Sequence, residues 1–271
     1  MRAWLCCGLL LLGGALESRA GFIGNSCTNF GCSLASPDTA SLSPASTLFN
    51  PDGDVTYSWN NTFGGGLVNG QPNLLTSASL DVSDSASNPV PTLGTEFQLI
   101  VGENYTDTVA VTNPGPQITF NFSLAVDNTA NSNFDEIASS LAFLATGLNA
   151  SNNQIFSFEW FSPNVTGNGS TATDYSFSTP ALFDTSATAS MNVQLTLTSQ
   201  VWYSNFEGAI TASDTGVGAS DASHTLIFQS IQSGNGTFSS ANGANYNGPE
   251  PASWVMVAAG MAALLIGRRR A

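Results

Sequence analysis

Across residues 117–126 the chain places an apolar side chain at every second position, Ile118, Phe120, Phe122, Leu124 and Val126, with polar residues between. Successive side chains of a strand leave opposite faces of a sheet, so a period of two marks a strand with one buried face. Shorter pieces of the same alternation recur at Val55-Tyr57-Trp59, Leu80-Val82, Phe97-Leu99-Val101, Val109-Val111, Phe156-Phe158-Trp160, Tyr175-Phe177, Met191-Val193-Leu195-Leu197 and Leu226-Phe228. Gly, Pro, Asn and Asp fill the gaps, which is turn chemistry. Many short strands divided by turns predict an all-β body, a β-sandwich or jelly-roll.

One stretch follows another period. Phe134, Ile137, Ala138, Leu141, Leu144, Ala145 and Leu148 keep helical spacing, with Asn133 and Glu136 placed as a capping box and Gly147 as a stop; the spacing predicts a short helix near 134–147. Stretches rich in Asn, Ser and Thr at 35–46, 61–73 and 165–173 read as long loops, and 241–248 reads as a flexible stalk.

Charge is distributed unevenly. The chain has no lysine, and its five basic residues, Arg2, Arg19, Arg268, Arg269 and Arg270, all lie near the two ends. Of its 19 acidic residues only Glu17 and Glu250 fall in those ends, so residues 21–247 carry a formal charge of −17 with His224 neutral. Such a body repels phosphate backbones and anionic headgroups, which argues against nucleic-acid binding, and it has no Lys or Arg for ion pairing. Abundant Phe, Val, Ile and Leu in alternating runs argue for a packed core over disorder.

The ends read as addresses. Arg2, the apolar run 3–12 and Ser18-Arg19-Ala20 before Gly21 have the order of a cleaved secretory signal, residues 1–20. Cys6 and Cys7 lie too early for a lipoprotein attachment site. Export into an oxidising compartment lets Cys27 and Cys32 close a small disulfide loop, whose entropic contribution is modest; metal binding by two thiols without histidines is the weaker alternative. At the other end Pro249-Glu250-Pro251 leads into an apolar run, 252–267, and then Arg268-Arg269-Arg270-Ala271. The run is short for a membrane helix, but arginine snorkelling and bilayer thinning close the gap, and the arginines stay cytoplasmic.

In this order of Pro-Glu-Pro, apolar helix, basic cluster and chain end, residues 248–271 resemble the PEP-CTERM sorting domain of Gram-negative bacteria. The resemblance implies recognition by an exosortase, cleavage near the motif, an inner-membrane intermediate, and delivery to the outer envelope or an exopolysaccharide matrix. It makes Pro249, Glu250 and Pro251 sorting determinants and Arg268, Arg269 and Arg270 a membrane stop. A simple tail anchor is the alternative. Residues 221–228 with the Ser/Gly-rich run that follows loosely resemble the last strand of exported sandwich domains bearing this tail.

No catalytic constellation stands out. His224 is the single histidine and Asp221 lies near it, but there is no nucleophile elbow, so a structural or exposed histidine on a strand is the better reading. Glu96, Glu103, Glu136, Glu159 and Glu207 offer carboxylate pairs for a glycosidase, with Glu159 beside Trp160 the first to inspect. A solvent-facing acid alternating with a core tryptophan explains that pair better. Asp52-Gly53-Asp54, Asp214 and Asp221 supply hard oxygens, so weak Ca²⁺ binding suits the acidic body, although no EF-hand pattern is present and an Asp-Gly turn suffices. Sequons occur at Asn60, Asn104, Asn121, Asn149, Asn164, Asn168 and Asn235; chance explains most of them in a chain rich in Asn, Ser and Thr, and glycosylation stays open. The leading expectation is a non-enzymatic envelope or biofilm-matrix protein without a cofactor, structural or adhesive. A carbohydrate-binding module using Trp59, Trp160 and Trp202 comes second, and a cryptic glycoside hydrolase third.

Overall fold

The computed structural model describes residues 21–28, 31–35, 40–42, 48–49, 55–84, 95–130, 134–166, 168–205, 216–222 and 226–247. These residues form strands β1 (Gly21–Thr28), β2 (Gly31–Ala35), β3 (Ala40–Leu42), β4 (Leu48–Phe49), β5 (Val55–Val68), β6 (Gln71–Asp84), β7 (Thr95–Thr112) and β8 (Thr119–Ala130). They continue with β9 (Phe134–Leu148), β10 (Gln154–Phe161), β11 (Val165–Thr166), β12 (Gly169–Ser178), β13 (Ser190–Asn205), β14 (Gly216–Asp221), β15 (Leu226–Gln232) and β16 (Thr237–Ser240). One 3₁₀ turn, Thr185–Ala187, is capped by the Asp184 side chain.

Two antiparallel sheets result, as a β-sandwich requires. One runs β10-β9-β13-β7-β1-β2, with β11 beside β9 and β16 beside β7. The other runs β12-β8-β14-β6-β5-β3, with β15 beside β6 and β8 and β4 beside β5. The alternation of 117–126 is realised in β8: Phe120, Phe122, Leu124 and Val126 are buried while the residues between them are half-exposed. They meet Phe143 and Ala145 of β9 and Leu195 of β13 from the facing sheet in one core. Burying each such Phe or Leu contributes about 1.5–3 kcal/mol, which is the main force holding the sheets together.

Residues 134–147 are not helical. They lie in β9, paired along one edge with β13 and along the other with β10 over 142–148 and β11 over 138–139. Ile137, Ser139, Leu141, Phe143 and Ala145 point inward in strand alternation. The Ala/Leu/Ser composition fits both periods, and pairing on two sides decides between them. Gly147, which resembled a helix stop, makes room for a ring: a Cβ there would stand 2.1 Å from the side chain of Phe156, its register partner on β10.

Two of the expected loops are largely sheet. Residues 61–73 belong to the β5–β6 hairpin, whose Asn69-Gly70 turn has φ of 53° and 80°, the left-handed pair of a type I′ turn. Residues 165–173 contain β11 and the first half of β12, and β3 falls within 35–46. The expected stalk is packed through Asn247: Ala244 and Tyr246 are buried, and the Tyr246 carbonyl accepts a bond from Ile231 N at 2.8 Å. Asn247 bonds both ways with the Phe238 backbone, each at 2.9 Å. The expected signal 1–20 and sorting tail 248–271 lie outside the described residues. Among the described residues no helix is long and apolar enough to cross a membrane.

Candidate functional site

The most unusual chemistry sits on β7. One side of this strand is paired with β13 from Thr95 to Ala110. Its other side is shared, with β1 pairing Leu99 to Thr106 and β16 pairing Val109 to Thr112. Asp107 and Thr108 fall in the gap between those two partners. Asp107 is in phase with the inward Tyr105 and Val109 and is only 3% exposed.

The chain after β16 lines that gap. Ala241 N donates to Thr108 O at 2.9 Å and Asn242 Nδ2 to Thr106 O at 3.3 Å. Tyr246 then turns inward, and its hydroxyl donates to Asp107 Oδ2 at 2.7 Å. Tyr105 OH lies 3.1 Å from the same oxygen and 3.0 Å from Tyr246 OH, and the Ser240 hydroxyl also donates to Oδ2. Asp107 Oδ1 is buried with no hydrogen-bond partner. Burial pushes both phenols well above their usual range, Tyr246 further than Tyr105, so both remain protonated donors at neutral pH. One carboxylate oxygen is thus saturated by neutral donors while the other is bare, inside a body without lysine or arginine. The arrangement leaves one oxygen of a buried carboxylate uncompensated.

Sequence reading did not single out Asp107. The signal was present, since Asp107 occupies the same alternation as Val101, Tyr105, Val109 and Val111. An acid in phase with core residues is a buried acid.

Other expected residues are scattered. Glu103, also inward and 2% exposed, lies four positions from Asp107, about 13 Å along the strand. That exceeds the roughly 5–10 Å that paired glycosidase carboxylates need. Glu159 is exposed, whereas Trp160 turns toward the core and stacks on Phe177 at 4.4 Å with Tyr175 edge-on at 5.2 Å. The solvent-facing acid beside a packed tryptophan is therefore what this pair is. Trp59 and Trp202 are half-buried. Glu96, Glu136 and Asp221 lie on β7, β9 and β14, with side chains outside the description, and Asp52, Gly53, Asp54, Glu207, Asp214 and His224 lie outside the described residues altogether. Among the described residues no three His, Cys, Asp or Glu side chains gather as a metal site. Cys27 is disulfide-bonded, and the β1–β2 register sets Cys32 directly across from it. Pro249, Glu250, Pro251, Arg268, Arg269 and Arg270 fall outside the described residues.

No protein-family model matches the chain, and no curated protein matches it. Solved structures of infectious bursal disease virus are distantly similar. The Gx strain shares 10% identity at a TM-score of 0.24, over 84% of this chain and 60% of that one. The Gt strain shares 10% identity at 0.24, over 92% and 68%. The subviral particle shares 9% at 0.23, over 93% and 72%. The chain thus spans 60% of the length of the Gx-strain protein. TM-scores in this range assign neither fold nor activity.

Proposed function

We propose that this protein is an exported structural or adhesive component of a Gram-negative cell envelope or extracellular matrix, sorted by an exosortase. The observation that carries the reading is the order Pro249-Glu250-Pro251, apolar 252–267, Arg268-Arg269-Arg270. The order Arg2, apolar run and Ser18-Arg19-Ala20 at the other end of the chain, that of a secretory signal, supports it. On this reading Cys27 and Cys32 form the disulfide expected of an exported chain, and the partners are the exosortase, the inner membrane in transit, and exopolysaccharide.

The test is expression of the full chain, and of a variant with Pro249, Glu250 and Pro251 all changed to Ala, in a host that has an exosortase. The unaltered chain should be shortened at its C-terminus and leave the inner-membrane fraction; the variant should stay there at full length. Identical fates for the two chains, or a full-length product in the cytosol, would overturn the reading.

A carbohydrate-binding role is the second reading, favoured by Phe161, 61% exposed on the edge strand β10 next to Trp160. Its test is a glycan array with and without Ca²⁺, where Phe161→Ala should remove whatever binding the parent shows.

A further inference from the structure

We propose that the α-ammonium group created at Gly21 by export is the counter-ion of Asp107, so that removal of the signal completes the core. The inference rests on the export reading above, because it requires cleavage between Ala20 and Gly21. Three observations lead to it.

The first is position. Gly21 pairs with Thr106, so the next step along β1 toward its start faces Asp107. With strands roughly 4.8 Å apart, the Gly21 nitrogen lies about 5 Å from the Asp107 backbone, at the mouth of the gap between β1 and β16. The second is demand. Asp107 is 3% exposed, its Oδ2 is taken by Tyr105, Tyr246 and Ser240, and its Oδ1 has no partner. A buried carboxylate left this way is costly unless a positive charge or further donors reach it. The third is supply. Residues 21–247 contain no lysine or arginine, so once the signal is gone the body has two sources of positive charge, His224 and its own amino terminus.

The chemistry balances simply. Water adds across the Ala20–Gly21 peptide bond, Ala20 departs with the carboxylate, and Gly21 keeps the nitrogen as a primary amine that takes up a proton. In the precursor the same nitrogen is a neutral amide and offers Asp107 no charge. The groups facing Asp107 are Tyr105 from its own strand, Ser240 of β16 and Tyr246 from the closing segment, with Val193 its register partner on β13. None is a cation that competes with the amine, and Glu103, further along the same face of β7, adds negative potential. Pairing raises the amine above the usual terminal value of about 7.7–8.0. The stabilisation is therefore whole below about pH 8 and is lost as pH climbs through the raised value.

Two measurements separate this inference from the export reading. The N-terminal mass of the chain recovered from the envelope should correspond to a start at Gly21; any other start overturns the cleavage site. Independently, the chain Gly21–Ala271, released in detergent from a cleavable fusion with a free Gly21 terminus, is compared with its N-terminally acetylated form, each in the parent and in Asp107→Asn. Acetylation should lower the melting temperature of the parent by about 4 °C or more and that of Asp107→Asn by less than half as much. Equal losses would overturn the pairing. Should Asp107→Asn fail to fold, titration of ¹⁵N-labelled Gly21 in the parent decides alone: a midpoint well above pH 8 supports the pairing, and an ordinary midpoint ends it.

Discussion

Phe143 and Ser139 share the inward face of β9, four residues apart, and meet opposite kinds of neighbour. Around Phe143 the rings of Phe120, Phe122, Phe177 and Phe228 gather with centroids 4.7, 5.1, 5.6 and 5.8 Å away. Ser139 meets hydroxyls instead, its Oγ lying 3.2 Å from Ser199 Oγ, which in turn lies 2.7 Å from Thr76 Oγ1. The rings attract through area and dispersion, which have little direction, so each adds to a sum. The hydroxyls are linked through Ser199, so removing that one takes a hydrogen bond from both Thr76 and Ser139. One sandwich interior thus contains an additive region and a reciprocal one.

The comparison can be broken most forcefully at the ring cluster. Phe143→Ala should cost about 3–5 kcal/mol in denaturant unfolding, whereas Phe143→Leu should cost markedly less; equal losses would mean that specific ring geometry, not filled volume, holds the sheets. Alkali probes the residues that join both kinds of contact, Tyr105 and Tyr246, whose rings pack on Phe22 and Phe228 while their hydroxyls reach Asp107. Burial above all holds these phenols protonated in the folded chain, so from about pH 10 only the unfolded chain releases their protons. Stability should then fall by about 1.4 kcal/mol per pH unit for each phenol. Ultraviolet titration should show these two of the five tyrosines ionising only as the fold is lost.

The reciprocal region makes a finer test. Ser199→Ala alone should cost about 1–3 kcal/mol, because Thr76 and Ser139 lose their shared partner, while the combination of Thr76→Val, Ser139→Ala and Ser199→Ala should cost less than the three single changes added together. Simple additivity would erase the distinction between the two regions. The smallest effect is expected outside both: Glu159→Gln, on an exposed position of β10, should change stability by less than about 0.5 kcal/mol and would serve as the control.

How far these features could be read from the sequence depended on which neighbour decided each one. β8 was legible because one apolar face and one polar face leave a single consistent period. β9 was not, because Leu141, Leu144, Ala145 and Leu148 satisfy a helical and an extended reading equally, and pairing with β10 and β13 settles the matter. In the β5–β6 hairpin the glycines and asparagines of 61–73 suggested a loop, although Asn69-Gly70 between alternating residues is itself a hairpin signal. Asp107 was hidden for a different reason. Acids were weighed as solvent-facing groups or as members of a reactive pair, and its place in an apolar alternation was the clue that mattered. Glu103 and Asp107 show why spacing alone does not select a pair: four positions along one strand become about 13 Å.

Tyr246 has a mechanical consequence. Its ring rests 4.9 Å from that of Phe228, its carbonyl holds Ile231 N, and its hydroxyl reaches Asp107, all within the last few residues before the acidic tail motif. A tensile load applied beyond Asn247 must therefore extract a wholly buried plug before it can peel the final strand from its sheet. Tethered at that end, the domain would resist shear from flowing medium through its interior and not through its rim.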